Sequence, residues 1–263
     1  MPACLVLLAI MLLLMPVHAP ARTLTMVAVE WPPYTSAHMP GNGLLTQIVR
    51  KAMSRMGHTV NVVFVPWARA LEMVRTGQCD GIIGVAPSED RHNAMFFANP
   101  IIQHAAVLFR RTGVGSPTFD RMDELCPARV GVLRGSLYVD FLQKTPCLEL
   151  IELNEPLQGI KMLLAGRITY QLEDPLFMAE MLSSFKSDER TSIQAMHPAI
   201  SYSATTVAFS RAAPENLYLT DAFDTTMAQL GKEGIHAAML VPHGLSIPPE
   251  VWVTGSGTIQ TPH

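Results

Sequence analysis

Charged side chains are scarce in this sequence: Asp, Glu, Lys and Arg supply 16% of its 263 residues and leave a net charge of −3. A nearly neutral chain has no electrostatic footprint for the phosphates of nucleic acid or for an anionic membrane surface. Past residue 17, no apolar run approaches the ~20 residues that a membrane-spanning helix needs, so the remainder is expected to be soluble. The nine His residues include no close pair such as His-x-x-x-His, which argues against a metal site. Neither a Gly-x-Ser-x-Gly nucleophile turn nor a Walker phosphate loop occurs, and no cofactor is expected.

What is present begins at the N-terminus. Leu5 to Val17 is almost unbroken hydrocarbon, interrupted only by Pro16. It is too short to span a bilayer but suits the apolar core of a signal peptide. Ala19 and Ala21 place small residues where signal peptidase reads them, so residues 1–21 are expected to be a leader cleaved after Ala21. Cleavage after Ala19 would leave Pro20 next in line, which the peptidase disfavours. No Lys or Arg precedes Leu5, so the usual basic segment is missing, and a buried core helix is the competing reading. Export to the periplasm places the cysteines in an oxidising compartment. Four are present. Cys4 leaves with the leader and lacks the context of a lipoprotein anchor. Cys126 and Cys147 are expected to pair, closing a loop of about 20 residues worth ~3 kcal/mol in chain entropy. Cys79 is left as a small buried hydrophobe.

The periodicity of the chain describes two similar α/β units. Leu24 to Val29 reads as a strand, stopped by Glu30-Trp31-Pro32-Pro33-Tyr34 because adjacent prolines cannot continue a ladder. Apolar residues from Leu45 to Met56 recur at spacings of three and four and end at Gly57, which predicts a helix. A strand over Val60 to Val65, a helix over Trp67 to Thr76 and a strand over Gly81 to Val85 complete the first unit. The second has strands at Arg129 to Leu133, Leu148 to Leu153 and Ile168 to Leu172, with helices running to Phe141 and from Gln158 to Ala165. Strand–helix–strand succession argues for mostly parallel sheets flanked by helices. Two extended runs, Val107 to Gly113 and Thr205 to Ser210, cross between the units, and a helix follows from Pro214 to about Leu230. The expected architecture is therefore α/β and two-lobed. Residues 22–108 and 206–263 form a discontinuous first lobe, 109–205 form the second, and two strands serve as the hinge.

Ligands of open parallel sheets bind beyond the carboxyl ends of the strands. Trp31, Tyr34, Trp67, Ser88, Arg91, Gly135, Ser136 and Asp174 all fall there and form the candidate ligand site. Arg91 suits a ligand carboxylate through a two-pronged pair, Asp174 suits an ammonium, and the rings suit the ligand's body. Each has a plainer alternative: Arg91 as a surface cation beside Glu89 and Asp90, Asp174 as a turn cap before Pro175, Ser136 as a helix cap, and the tryptophans as core rings. Arg69, one turn into its helix, reads as solvated.

The order and spacing of these motifs resemble bacterial extracellular solute-binding proteins of family 3, the polar-amino-acid receptors of ABC importers. The resemblance covers roughly residues 24–240. Trp31-Pro32-Pro33-Tyr34 is similar to the family's aromatic–proline–aromatic loop, and Gly77-Gln78-Cys79-Asp80-Gly81 to its Gly-x-x-Asp strand entry. Ser88-Glu89-Asp90-Arg91 followed by Phe97-Ala98-Asn99-Pro100 is similar to its Thr-x-x-Arg…Phe-Ser-x-Pro signature. Val130 to Ser136 is similar to its second-lobe turn, and Gly166 to Asp174 to its ammonium-binding segment. The resemblance implies a periplasmic-binding-protein-like fold, Arg91 as the carboxylate ligand, Asp174 as the ammonium ligand and no catalytic residue. It also implies a small amino-acid-like solute and an inner-membrane permease as partners, with the protein a monomer. Gly84 and Ala86 stand where such receptors carry polar residues, Gly43-Leu44-Leu45 replaces Gly-Phe-Asp, and Pro66-Trp67-Ala68-Arg69 adds a ring and a cation. Those departures bear on which ligand is bound. Two other readings stay open: a binding protein that feeds a membrane sensor, and a dehydratase-like enzyme on the same scaffold, for which Glu173 is the candidate general acid.

Overall fold

The computed structural model describes residues 22–245. Residues 1–21, the expected leader with Cys4, and the segment after residue 245 lie outside the described residues. The first part of the chain contains β1 (Thr23–Ala28), α1 (Leu44–Arg55), β2 (Thr59–Phe64), α2 (Trp67–Arg75), β3 (Gly81–Val85), a single turn α3 (Glu89–His92) and β4 (Met95–Phe97). After the long β5 (Ile102–Arg111) come β6 (Ala128–Leu133), α4 (Tyr138–Leu142), β7 (Leu148–Leu153), α5 (Pro156–Leu164), β8 (Tyr170–Glu173), α6 (Pro175–Ser183), α7 (Ser187–Thr191) and β9 (Ile193–Ala195). The chain returns through β10 (Ser201–Ser210) to α8 (Asn216–Lys232) and α9 (Ile235–Leu240).

The strands follow one curled path, β2-β1-β3-β10-β5-β8-β6-β7, with β4 beside β10 and β9 beside β5. Pairing is parallel within each α/β unit, β1 with β2 and β3, and β6 with β7 and β8. The joining is done by β5 and β10. Ser201 to Thr205 pairs antiparallel with Ile102 to Ala106. Beyond that shared stretch β10 continues beside β3, whereas β5 continues beside β8. These two strands are longer than the sequence pattern suggests, since Ile102 and Ser201 already belong to them.

Side-chain alternation along the strands fills a core on each face. Leu24, Met26 and Ala28 of β1 pack with α1 and α8, whereas Val27 points to Ala70 and Val74 of α2. Along β5, Ala106 and Leu108 join Val130 and Val132 on one face, and Val107 and Phe109 join Ile160, Leu163 and Met178 on the other. Burying both faces is what a parallel sheet with helical crossovers requires. The entry to α1 needs glycine. Gly43 has φ +91°, and a Cβ there would sit 2.6 Å from the Tyr34 carbonyl oxygen.

Cys126 and Cys147, just ahead of the paired strands β6 and β7, are joined by a disulfide with Cα atoms 5.6 Å apart. Cys79 is a free, buried thiol whose pKa burial pushes up to about 11. Thiol labelling of unfolded, unreduced protein, with residues 1–21 removed, should therefore find one reactive cysteine. Reduction should lower stability by ~3 kcal/mol, the chain-entropy value for a loop of this length. Three labelled thiols before reduction would remove the bridge.

Candidate functional site

A cavity of about 520 Å³ lies where the carboxyl ends of the two parallel sheets face each other. The segment after β1 contributes Glu30 and Trp31, the segment after β2 contributes Pro66, and Trp67 opens α2. Ala86 follows β3, Arg91 comes from α3 and His104 from β5. From the other side come Ser136 after β6, Asn154 and Glu155 after β7, Glu173 and Asp174 at the end of β8, and Phe177 of α6. This is where open parallel sheets place their ligands.

Five of the eight candidate residues line the wall: Trp31, Trp67, Arg91, Ser136 and Asp174. The other three stand behind it. Tyr34 is fully buried, packs on Trp31 with ring centroids 4.1 Å apart, and donates its hydroxyl to Asp174 Oδ1 and Oδ2 at 3.2 and 3.1 Å. Burial and the neighbouring carboxyls of Asp174 and Glu173 raise its pKa far above the ordinary phenol value. Ser88 caps α3, its hydroxyl accepting the Arg91 amide at 3.4 Å. Gly135, at φ +71°, presents its carbonyl to two donors, Trp67 Nε1 at 3.1 Å and Arg91 Nη2 at 3.0 Å.

Arg91 is the one cation among the lining residues. Its Nη1 donates to Ala86 O at 3.0 Å, and its guanidinium carbon lies 5.0 Å from the Trp67 ring centre. Burial lowers its pKa to about 10, with Asp90 opposing. Two of its five N–H groups are thus occupied by backbone carbonyls, and the others meet no acceptor among the described residues. Asp174 is 4% exposed: Oδ1 caps α6 by accepting the Phe177 amide at 2.8 Å, and the residue lines the cavity. Ser136 Oγ is buried with no partner among the described residues. Gly84 and Ala86 also belong to the wall and bring no polar side chain to it. Arg69 is exposed, bonds Gln78 Oε1 at 2.9 Å, and is not part of the wall.

His104 also lines the wall, and no sequence motif marks it. Its Nε2 lies 3.0 Å from Thr205 Oγ1, its Nδ1 lies 3.5 Å from Asp174 Oδ2, and its ring meets Trp31 edge-on at 5.0 Å. The only trace in the sequence is one histidine inside an apolar extended run, Ile101 to Ala106. Phe64, Phe177 and Tyr138 complete the mostly apolar wall. Glu173 is the other prominent group: burial, with a smaller push from Asp174, raises its pKa to about 8 against the opposing bond from the Asp174 amide, 3.0 Å to Oε1.

A cavity between two α/β lobes linked by two strands is the architecture of the two-lobed periplasmic-binding-protein fold. Residues 25–242 match the family model of bacterial extracellular solute-binding proteins, family 3, and the chain belongs to that family. Solved structures agree in fold. A histidine kinase sensor domain with similarity to periplasmic binding proteins aligns with a TM-score of 0.74 at 21% identity, over 87% of this chain and 99% of its own. The P235GK mutant of ArgBP from T. maritima aligns at 0.71 and 16%, over 84% and 94%. EhuB in complex with hydroxyectoine aligns at 0.71 and 20%, over 85% and 89%. No curated protein matches the sequence.

Proposed function

We propose that this protein captures a small amino-acid-like solute in the periplasm and delivers it to an ABC-type permease. The observation that carries the reading is Arg91. A half-buried guanidinium with no carboxylate ion-paired to it among the described residues, and with N–H groups to spare, is a site for a ligand carboxylate. The acidic pair Glu173–Asp174 across the cavity would take an ammonium, and Trp31, Trp67 and Phe177 would enclose the body of the ligand. Several solved neighbours are named for arginine or amino-acid binding, which supports this ligand class. The kinase sensor domain among them supports delivery to a membrane sensor as the second destination. Genes beside this one, permease and ATPase or kinase, separate the two.

The lobes, 22–108 with the described part of 206–263 (to residue 245) and 109–205, would rotate about the crossings near residues 107–112 and 203–208. A thermal-shift screen against amino acids, polyamines and small carboxylates is the direct test, because a ligand at 100 times its dissociation constant adds ~2.7 kcal/mol. The stabilising solute should also reduce the radius of gyration in small-angle scattering. An unchanged radius at saturation would leave a preformed site and no hinge. Glu173, held as a neutral acid near pH 7, also favours a dehydratase-like enzyme as a second reading. Turnover of prephenate or arogenate by the purified protein would replace the binding reading with that one.

A further inference from the structure

The cavity wall carries four carboxyl groups, Glu30, Glu155, Glu173 and Asp174, against one guanidinium. They are not equivalent. Glu30 is exposed at the rim and accepts the Ala37 amide at 2.7 Å. Asp174 is already engaged by the Phe177 amide, the Tyr34 hydroxyl and the His104 edge, and it sits at the N-terminus of α6, where the helix dipole favours its charge. Glu173 differs. One oxygen accepts the Asp174 amide at 3.0 Å, and no donor among the described residues reaches the other. A carboxyl in an apolar wall with a free oxygen beside a ligand-sized space is built to meet a cation brought by the ligand.

Deepening the binding reading on which it rests, we infer that Glu173, rather than Asp174, receives the cationic group of the ligand, and that seating this group expels one proton from the cavity. The proton balance is simple: the neutral carboxyl loses its proton to solvent and the carboxylate pairs with the ammonium. The groups around Glu173 are Asp174 beside it, Tyr34 from the loop after β1, Tyr138 of α4, and His104 of β5, which reaches Asp174. The raised pKa of Glu173, about 8, means that near neutral pH the proton is there to be released. The inference also explains a cavity poor in hydroxyls at Gly84 and Ala86: the polar anchoring is concentrated in Arg91 and Glu173.

Matched probes separate the two anchors: L-phenylalanine, phenethylamine, which lacks its carboxylate, and 3-phenylpropanoate, which lacks its amine. Calorimetry in buffers of different ionisation enthalpy should show close to one proton released by each amine probe. Phenethylamine affinity should strengthen up to about tenfold per unit from about pH 5.5 to about pH 7.5, the limiting slope for displacing one proton. In Glu173→Gln, which keeps an acceptor for the Asp174 amide, both amine probes should bind about ten- to a hundred-fold more weakly, without proton release. Binding of 3-phenylpropanoate should be unchanged by the substitution. Proton release that persists in Glu173→Gln would assign it to another group such as His104 and overturn the inference. Binding of 3-phenylpropanoate as tight as that of phenylalanine would overturn it while leaving solute binding intact. If none of the three binds and the wider panel of amino acids, polyamines and carboxylates also fails, both readings fall.

Discussion

Replacing Arg91 with Ala is expected to weaken binding of the stabilising amino acid by about 30-fold to several thousand-fold, the range for stripping a buried charge of its partner. The guanidinium sits over the Trp67 ring in a mostly apolar wall, where a ligand carboxylate enclosed without it would be an unpaired anion. The substitution also removes the donors that hold the Ala86 and Gly135 carbonyls, so some loss of closure accompanies the loss of the ligand contact. Arg91→Lys should restore only part of the affinity, because an ammonium can neither bridge two oxygens in a plane nor stack as flatly on Trp67. Arg69→Ala is the control. Its side chain is exposed and bonded to Gln78 outside the wall, so affinity should stay close to wild type. Isothermal calorimetry on the three variants reads the result, with circular dichroism to confirm folding. Wild-type affinity in Arg91→Ala would move the carboxylate site elsewhere in the cavity.

The fold was legible because its signals are local and repeated: a period of two in strands such as Thr23–Ala28, a period near 3.6 in Leu44–Arg55, and glycines after α1 and α2. Short elements escaped. Met95–Phe97 and Ile193–Ala195 are three-residue strands that exist only because β10 and β5 offer them edges, and no local pattern marks such partners. Glu173-Asp174-Pro175 signals a turn in the sequence, whereas the structure starts the helix Pro175–Ser183 there, because Asp before Pro is a helix start as well. In the site, motif order found the residues at strand ends but could not tell wall from support. Tyr34 and Trp31 are three positions apart in one loop, yet only Trp31 faces the cavity. His104 comes from the middle of a joining strand, and its role arises when residues far apart in sequence meet: 70 positions from Asp174 and 101 from Thr205. Burial of Glu173 is likewise a property of the assembled lobes and not of its neighbours in sequence.

Asp174→Ala should cost about 2–4 kcal/mol of stability, since its carboxylate satisfies two buried donors. Its Oδ1 satisfies the Phe177 amide at the start of α6, and an N-cap is worth about 1 kcal/mol. The Tyr34 hydroxyl, fully buried, would lose both of its acceptors, at about 1–3 kcal/mol for an orphaned donor. Asp174→Asn keeps an acceptor for each and should recover most of the loss. The Asn variant has a second, pH-dependent signature. Glu173 binds its proton more tightly in the folded than in the unfolded protein, so the folded state holds more protons between the ordinary carboxyl value of 4.5 and about 8. Wild-type stability should therefore decline as pH rises through that window. Removing the Asp174 charge takes away the smaller cause of the Glu173 shift and leaves desolvation, so in Asp174→Asn the decline should end at a lower pH, and in Glu173→Gln the part above about pH 6, beyond the raised value of Asp224, should be lost. Urea unfolding of wild type and the three variants across this pH range gives both readouts. An Asp174→Ala protein as stable as wild type would mean that the Tyr34 and Phe177 bonds are not made in solution. A Glu173→Gln variant with the full wild-type slope would place the buried proton on another group.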